Sequence, residues 1–172
     1  PPLQGRVPVT PDRSCLALVG IQDPGNAGTL IRTAAALGAK GVFLCLPGAR
    51  PENPKLIRAA QTAMLEIPLE IIPSYQDLWA HPTLADQPFY LSVPPRPGCL
   101  TPSEIRNPGV LLVGSEGQGL PDCPDPSDPR IRWLTLPQRG STESLNAAIA
   151  GAILLHRLLE AGAASATPLV QA

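Results

Sequence analysis

The sequence predicts an α/β fold in which a parallel sheet is flanked by helices. Short segments that are apolar throughout alternate along the chain with segments of helical periodicity, and continuously apolar strands are typical of a parallel sheet covered on both faces. Apolar residues make up 44% of the 172 residues but aromatic residues only 3%, so we expect a core of Leu, Ile, Val and Ala. This length suits one domain.

The first strand and helix show how each element is predicted. Residues 15–21 are a short apolar run, which predicts a buried strand. Over residues 26–37 apolar residues recur at helical spacing, and Gly38 then ends the helix. The same criteria predict, in order, a strand at 41–46, a helix at 55–64, a strand at 69–72, a short helix at 75–79, a strand at 89–93, a helical turn at 102–106, strands at 110–113 and 131–136, and a helix at 142–161.

The predicted elements divide the chain into three regions. Residues 1–13 are Pro-rich and lack periodicity, which indicates an arm or linker. Residues 14–161 contain every predicted element and form the main domain. Residues 162–172 are rich in Ala, Ser and Pro, and we expect a disordered tail there. The chain begins with Pro1 rather than Met, which leaves room for a segment upstream.

The formal net charge of −1 argues against a chain coated with basic residues for nucleic-acid binding. The charge is uneven, because residues 1–58 contain seven Lys or Arg and three Asp or Glu, a net charge of +4. The remainder contains six and eleven, a net charge of −5. Both a local basic face and ordinary solvated surface charge fit this distribution.

The four cysteines show no C-x-x-C spacing, and Cys15 and Cys45 fall in predicted strands. We interpret all four as reduced thiols, which predicts no metal site. No signal peptide is visible, so a cytoplasmic location is expected. No apolar run approaches the roughly 20 residues that a transmembrane helix needs.

The first candidate site segment is the loop between the first predicted strand and helix, Asp23-Pro-Gly-Asn-Ala-Gly-Thr-Leu-Ile-Arg32. Open α/β sheets bind ligands at such loops. Asn26 is either the N-cap of the helix or a ligand-binding residue. Arg32 is either a partner in a surface salt bridge or a clamp for a phosphate group.

The second segment, Gly114-Ser-Glu-Gly-Gln-Gly-Leu-Pro121, also follows a predicted strand. Its three glycines allow a sharp turn and a close approach between backbone and ligand. The order G-x-x-G-x-G does not fit a dinucleotide-binding loop, and the sequence contains no G-K-[ST] phosphate loop. Glu116 either contributes to a site or satisfies neighbouring backbone N–H groups.

The third segment, Leu134-Thr-Leu-Pro-Gln-Arg-Gly-Ser-Thr-Glu-Ser-Leu-Asn146, joins a predicted strand to the last helix. It is polar and contains Gly140. Its side chains lie where backbone N–H groups of a helix start are free, so they suit either helix capping or ligand binding.

Together the three segments resemble the three motifs of the SpoU-type RNA ribose 2′-O-methyltransferases of the SPOUT superfamily. The likeness is carried in order by Asp23-Pro-x-Asn26-x-Gly28-x-x-x-Arg32, by Gly114-Ser-Glu116-Gly, and by Leu136-Pro137 through Ser144-Leu145-Asn146. Two departures are visible. Gln138 stands where the family often has Met, and Ala60-Gln-Thr-Ala63 replaces a small-residue patch that usually contains Gly.

The resemblance implies a fold, a reaction and a set of site residues. The fold includes a C-terminal deep trefoil knot, and the family acts as homodimers with the active site near the subunit interface. The cofactor is S-adenosylmethionine, the methyl acceptor is a ribose 2′-OH of tRNA or rRNA, and no metal is needed. The implied catalytic residues are Arg32, Asn26, Glu116, Ser144 and Asn146. The implied cofactor-binding residues are Gly114, Leu136, Leu145, Pro137 and Gly140. Candidate RNA-binding residues are Arg32, Arg50, Lys55, Arg58 and Arg139.

Within this resemblance, we expect Arg32 to act as a cation rather than as a base. Deprotonating an arginine with a pKa of roughly 12.5–13.8 at pH 7 costs about 7–9 kcal/mol. Clamping a phosphate and stabilising developing oxyanion charge is cheaper. The alternative is a non-catalytic module that binds S-adenosylmethionine or RNA and keeps the fold, which the retained polar motif residues disfavour.

Overall fold

The structure, a computed structural model, describes residues 14–121, 125–139 and 145–165. The strands are β1 Cys15–Val19, β2 Val42–Cys45, β3 Leu69–Ile72, β4 Phe89–Ser92, β5 Val110–Gly114 and β6 Ile131–Leu134. The helices are α1 Pro24–Leu37, α2 Pro54–Ala60, α3 Ala63–Glu66, α4 Tyr75–Trp79 and α5 Ala147–Ser165, and 3₁₀ turns cover Pro82–Leu84 and Pro102–Glu104.

All six strands run parallel in one sheet with the order β3-β2-β1-β5-β4-β6, which confirms the predicted fold class. The chain builds the sheet outward from β1 through β2 to β3 and then crosses to β4 on the other side, after which β5 is inserted between β1 and β4. Parallel sheets bind ligands outside the carboxyl ends of the strands, at the point where the strand order reverses. Here that point lies between β1 and β5, where Val19 pairs with Gly114.

Each face of the sheet has its own core. One face packs against α1, α2, α3 and α5, and its buried side chains are mainly Leu, Ile, Val and Ala, as the composition predicts. The opposite face concentrates aromatic side chains, among them Phe43, Tyr75, Trp79 and Phe89. The rings of Trp79 and Phe89 stack with their centroids 4.5 Å apart. Most of the few aromatic residues of the sequence are therefore concentrated in one cluster beneath α4.

Helix α1 begins two residues earlier than predicted, because Asp23 and Pro24 supply the start. The carboxylate of Asp23 accepts hydrogen bonds from the backbone N–H groups of Gly25 and Asn26, and proline suits the first helical position. Gly38 ends the helix with φ +81°, a left-handed conformation that favours glycine. Asn26 therefore lies inside the first turn, and the predicted alternative of Asn26 as the N-cap is wrong.

The single helix predicted over residues 55–64 is two helices, α2 and α3. They are separated at Gln61, whose φ of 54° and ψ of −136° lie in a region that side chains disfavour. The apolar spacing continues across the break, so periodicity alone does not reveal it. The break falls in the Ala60–Ala63 segment, where the resembled family usually carries glycine.

The C-terminal elements also differ from the prediction. Strand β6 ends at Leu134, two residues early, because the backbone then pairs differently: Thr135 N–H donates to the carbonyl of Leu100 at 2.9 Å. Helix α5 begins at Ala147, and residues 142–144 of the predicted helix lie outside the described residues. It ends at Ser165, so residues 162–165 of the predicted disordered tail are helical.

The remaining predictions about the backbone stay predictions. The arm at 1–13, the rest of the tail and the connections at 122–124 and 140–144 lie outside the described residues, so the trefoil knot is untested. Within the described part of the chain, no helix is long and apolar enough to cross a membrane. Burial raises the pKa of both the Cys15 and Cys45 thiols to about 12, as expected of unreactive core cysteines.

Candidate functional site

Side-chain hydrogen bonds join the three candidate segments at the carboxyl edge of the sheet. The Nδ2 group of Asn146 donates to Oδ1 of Asn26 at 3.2 Å, and Nδ2 of Asn26 donates to Oε1 of Glu116. These three residues, the Asn146–Asn26–Glu116 chain, come one from each segment. They lie beside the reversal of strand order between β1 and β5, where an α/β sheet is expected to bind its ligand.

Asn26 is available for this chain because Asp23 performs the capping. Asp23 satisfies the first backbone N–H groups of α1 and also accepts from Nζ of Lys55 at 3.0 Å. The hydrogen bond from Lys55 and those from the Asn26 and Gly25 N–H groups hold the pKa of Asp23 below its ordinary value. The Asn26 side chain consequently points at other side chains rather than at its own helix.

The orientation of the two amides follows from the backbone at the start of α5. Oδ1 of Asn146 accepts from the N–H groups of Ala148 and Ile149 at 2.9 and 3.2 Å. Its NH₂ group must therefore face Asn26, which then presents its oxygen to Asn146 and its NH₂ group to Glu116. The N–H donor from Asn26 suits the carboxylate form of Glu116, so the Asn146–Asn26–Glu116 chain holds a carboxylate at the site.

The loop after β5 is fixed by its own backbone. Ser115 and Gly119 exchange two backbone hydrogen bonds, of 3.0 and 2.8 Å, and this closes a tight turn around Glu116. A Cβ atom on Gly114 would lie 2.5 Å from the backbone nitrogen of Leu120 and closer still to Gly119. Gly114 is thus required by the packing of the loop against its own strand.

A cavity of about 580 Å³ opens beside the Asn146–Asn26–Glu116 chain, and this volume is within the usual range for small-molecule sites. Three predicted cofactor-binding residues, Gly114, Leu136 and Leu145, line it. Pro137 is exposed and is not among the lining residues, and Gly140 lies outside the described residues. The cofactor role of all five residues stays a prediction.

The lining chemistry fits S-adenosylmethionine. Apolar side chains such as Val113 and Leu136 suit the flat adenine ring, and glycine backbone allows close approach. Glu116 and Arg96 provide opposite charges within one cavity, which matches a ligand that carries a sulfonium, an ammonium and a carboxylate. Among the residues that the structure describes, no group of His, Cys, Asp and Glu could hold a metal ion.

Sequence reasoning missed the segment after β4, which forms one wall of this cavity. Val93 and Arg96 line it, and the guanidinium of Arg96 stacks over the Trp133 ring at 4.1 Å from the ring centroid. The segment carries no glycine-rich motif. Its signal was its position, because a loop after a strand next to β5 must open at the same edge of the sheet.

The predicted basic residues are dispersed over the surface. Arg32 is exposed on α1, does not line this cavity and makes no ion pair with any residue in the described ranges. Lys55 is paired with Asp23, and Arg50, Arg58 and Arg139 are exposed. Ser144 lies outside the described residues. The structure thus unites Asn26, Glu116 and Asn146 but does not bring Arg32 to them.

Known proteins resemble this chain in sequence and in fold. The model of the SpoU rRNA Methylase family matches residues 13–156. An uncharacterized tRNA/rRNA methyltransferase of Synechocystis is 33% identical, covering 95% of this chain and 59% of its own. The 23S rRNA (guanosine(2553)-2′-O)-methyltransferase RlmP of Bacillus subtilis is 36% identical, covering 85% and 58%. The chain thus spans about three fifths of these relatives.

Among solved structures, the SpoU methyltransferase AviRb from Streptomyces viridochromogenes in complex with AdoMet superimposes with a TM-score of 0.74. It is 28% identical to this chain, and the match covers 90% of this chain and 62% of that protein. The residues matched by the family model include the whole sheet, all three candidate segments and the first half of α5.

Proposed function

This chain belongs to the SpoU rRNA methylase family, and from that premise we propose that it transfers a methyl group from S-adenosylmethionine to a ribose 2′-OH of tRNA or rRNA. The observation that carries the proposal is the Asn146–Asn26–Glu116 chain at the rim of the 580 Å³ cavity. A purely structural loop cluster would not need a carboxylate fixed beside a cavity.

The residues that line the cavity would hold the cofactor. Leu136 and Leu145 supply apolar walls, Arg96 a cation for the carboxylate, and Glu116 an anion for the positively charged end. When bound, S-adenosylmethionine supplies an electrophilic methyl group. The remaining tasks belong to the residues of the protein, which must orient the acceptor hydroxyl, exclude water and help the hydroxyl proton to leave.

The Asn146–Asn26–Glu116 chain suits the third of these tasks, helping the hydroxyl proton to leave. A carboxylate whose direction is fixed by Asn26 can accept a hydrogen bond from a ribose hydroxyl, which increases the negative charge on the attacking oxygen. Because Asn26 is itself held by Asn146, the carboxylate need not reorganise during the reaction. Arg32, whose guanidinium is exposed on α1 outside the cavity, would engage a phosphate of the bound RNA.

The active protein would be a homodimer in the cytoplasm, where tRNA and rRNA are available to it. The start of α5 supports the dimer, since Ile149 and Ile153 lie about one turn apart on this helix and are exposed by 53% and 42%. Leu145, two residues before the helix, is exposed by 39%. Such a stripe on one helix face is typical of a contact surface.

Replacing Asn26 tests the proposal. Asn26→Ala removes both side-chain bonds of the chain, and we expect single-turnover transfer of labelled methyl to unmodified total RNA to fall about 10²-fold. Affinity for S-adenosylmethionine, measured by calorimetry, should change little, because Asn26 does not line the cavity. Asn107→Ala, which truncates an exposed asparagine elsewhere, is the matched control.

Two outcomes would contradict the proposal. Cofactor binding without any transfer to RNA by the unaltered protein would favour the non-catalytic module. Absence of cofactor binding altogether would refute the methyltransferase and leave only a module that binds RNA.

A further inference from the structure

A second cavity, of about 710 Å³, lies on the other side of the loop after β5 from the cavity proposed for the cofactor. The two cavities share residues 115–119 as a common wall, so Glu116 borders both. The other walls come from the carboxyl ends of β1, β2 and β3 and from the start of α4, including Val19, Leu46 and Gln76. A ligand here would be separated from the cofactor by one turn of backbone.

The chemistry of this lining is that of a neutral, flat, polar ligand. Among the described residues that line it, none is Lys, Arg or His, and Glu116 is the one carboxylate. A phosphate group would therefore find no cation inside. Val19, Leu46 and three prolines, Pro47, Pro73 and Pro121, provide apolar surface for the face of a ring.

Two glutamine amides supply the polar part of the lining. The side chains of Gln22 and Gln76 are exposed, line the cavity, and make no side-chain hydrogen bond to a residue within the described ranges. An amide offers both donors and acceptors, which is what the edge of a nucleobase requires. Ser74 is less available, because its hydroxyl is engaged with Asp77 at 2.6 Å.

From this arrangement, and resting on the proposed function, we propose that the second cavity takes the base of the nucleotide that is methylated. Enzymes that act on a base extrude its nucleotide from the stack and bind the base in a pocket, and we infer the same arrangement here for a nucleotide whose ribose reacts. With the base beside Gln22 and Gln76, the attached ribose would lie at the shared wall, next to Glu116. The phosphates would stay outside, within reach of surface arginines.

The lining of the second cavity also separates general binding of a base from selection of one base. Stacking surface accepts any base, whereas the amides contribute hydrogen bonds that differ between bases. The preference of this protein for one base should therefore depend on Gln22 and Gln76, while cofactor affinity should not, since neither residue lines the 580 Å³ cavity.

Nuclear magnetic resonance on the full chain, saturated with S-adenosylhomocysteine, tests this assignment. The probes are the four nucleoside 5′-monophosphates and ribose 5-phosphate, which lacks a base. We expect at least one nucleotide to shift the side-chain amide signals of Gln22 and Gln76 at millimolar concentration, and ribose 5-phosphate to leave them unchanged. Gln22→Ala and Gln76→Ala should each weaken nucleotide binding about 3- to 10-fold, the effect of one hydrogen bond.

The control is Gln61→Ala, which truncates an exposed glutamine outside both cavities and should leave nucleotide affinity as it was. Any of three results would overturn the assignment. Ribose 5-phosphate could bind as tightly as the nucleotides, or the shifts that nucleotides induce could be confined to the segment around Val93 and Arg96. The third result is an unchanged nucleotide affinity in both glutamine variants. Each result is separable from failure of the proposed function, which would appear as loss of cofactor binding or of methyl transfer to RNA.

Discussion

At the scale of single residues, Arg32 combines a predicted catalytic role with a position away from both cavities. If it grips the RNA backbone and stabilises oxyanion charge, Arg32→Ala should lower single-turnover methyl transfer 10²- to 10³-fold, or roughly 3–4 kcal/mol. Cofactor affinity should stay within about twofold, because Arg32 lines neither cavity. Arg32→Lys should restore little, since an ammonium lacks the planar fork of a guanidinium.

The control for Arg32 is Arg106→Ala, an exposed arginine whose guanidinium donates to the Ser103 carbonyl at 2.7 Å. A rate for Arg32→Ala above about a tenth of the unaltered protein's, against the loss expected of a transition-state contact, would mean that Arg32 is an ordinary surface residue.

Gly114 gives a second residue-scale prediction. A methyl group at this position would collide with the backbone of Gly119 and Leu120, so the loop that carries Glu116 must move. We expect Gly114→Ala to lower the free energy of unfolding by about 1–3 kcal/mol and to weaken cofactor binding, measured by urea titration and calorimetry. Gly117→Ala is the matched control, because its Cβ would have no described neighbour within 4 Å. Equal effects of the two substitutions would contradict this account.

At the scale of elements, Asp128 and Arg130 connect the start of β6 to α4. The carboxylate of Asp128 accepts from Arg130 at 2.6 Å and from the indole N–H of Trp79 at 3.1 Å, and the Arg130 guanidinium lies over the Phe89 ring. Hydrogen bonding from Arg130 lowers the pKa of Asp128 to about 2. The Asp128–Arg130 pair thus connects the edge strand β6 to the aromatic core on that face of the sheet.

This pairing predicts a pH dependence of stability. Because the pKa of Asp128 is lower in the folded than in the unfolded chain, its contribution is complete above about pH 4 and disappears as the pH falls towards 2. Asp128→Asn should therefore cost about 1–2 kcal/mol of unfolding free energy at pH 6 and much less at pH 2.5. Asp86→Asn, at an exposed site, should show neither effect. Urea denaturation at both pH values measures the difference, and a loss independent of pH would contradict the ion pair.

At the scale of the whole molecule, the exposed stripe at the start of α5 predicts the assembly state. Ile153→Glu places a charge on that surface and should convert a dimer to a monomer of 18.0 kDa, measured by sedimentation at micromolar concentration. Leu65→Glu is the control, because Leu65 is 77% exposed on a different helix. An unaltered protein that sediments as a monomer would refute the dimer.

The sequence predicted every strand of the sheet and the three segments that meet at its edge, because both depend on local patterns. What it left out depends on contacts between distant residues. The break at Gln61 interrupts an unbroken apolar spacing, and the wall that contains Arg96 carries no motif of its own. Whether Asn26 caps a helix or binds a side chain was decided by its neighbour Asp23, and its partner Glu116 could be identified only once the strand order was known.

The Asn146–Asn26–Glu116 chain also has a consequence for how the protein is made. Its two hydrogen bonds join residues 90 and 120 positions apart, and the more distant partner lies at the start of the last helix. Contacts of such long sequence separation form late, after the entropy of closing large loops has been lost. During translation, a nascent chain that still lacks α5 can build most of the sheet but not the site. Under the proposed function, catalytic competence is therefore expected to appear in a single step, once the start of α5 has been synthesised and Asn146 can reach Asn26.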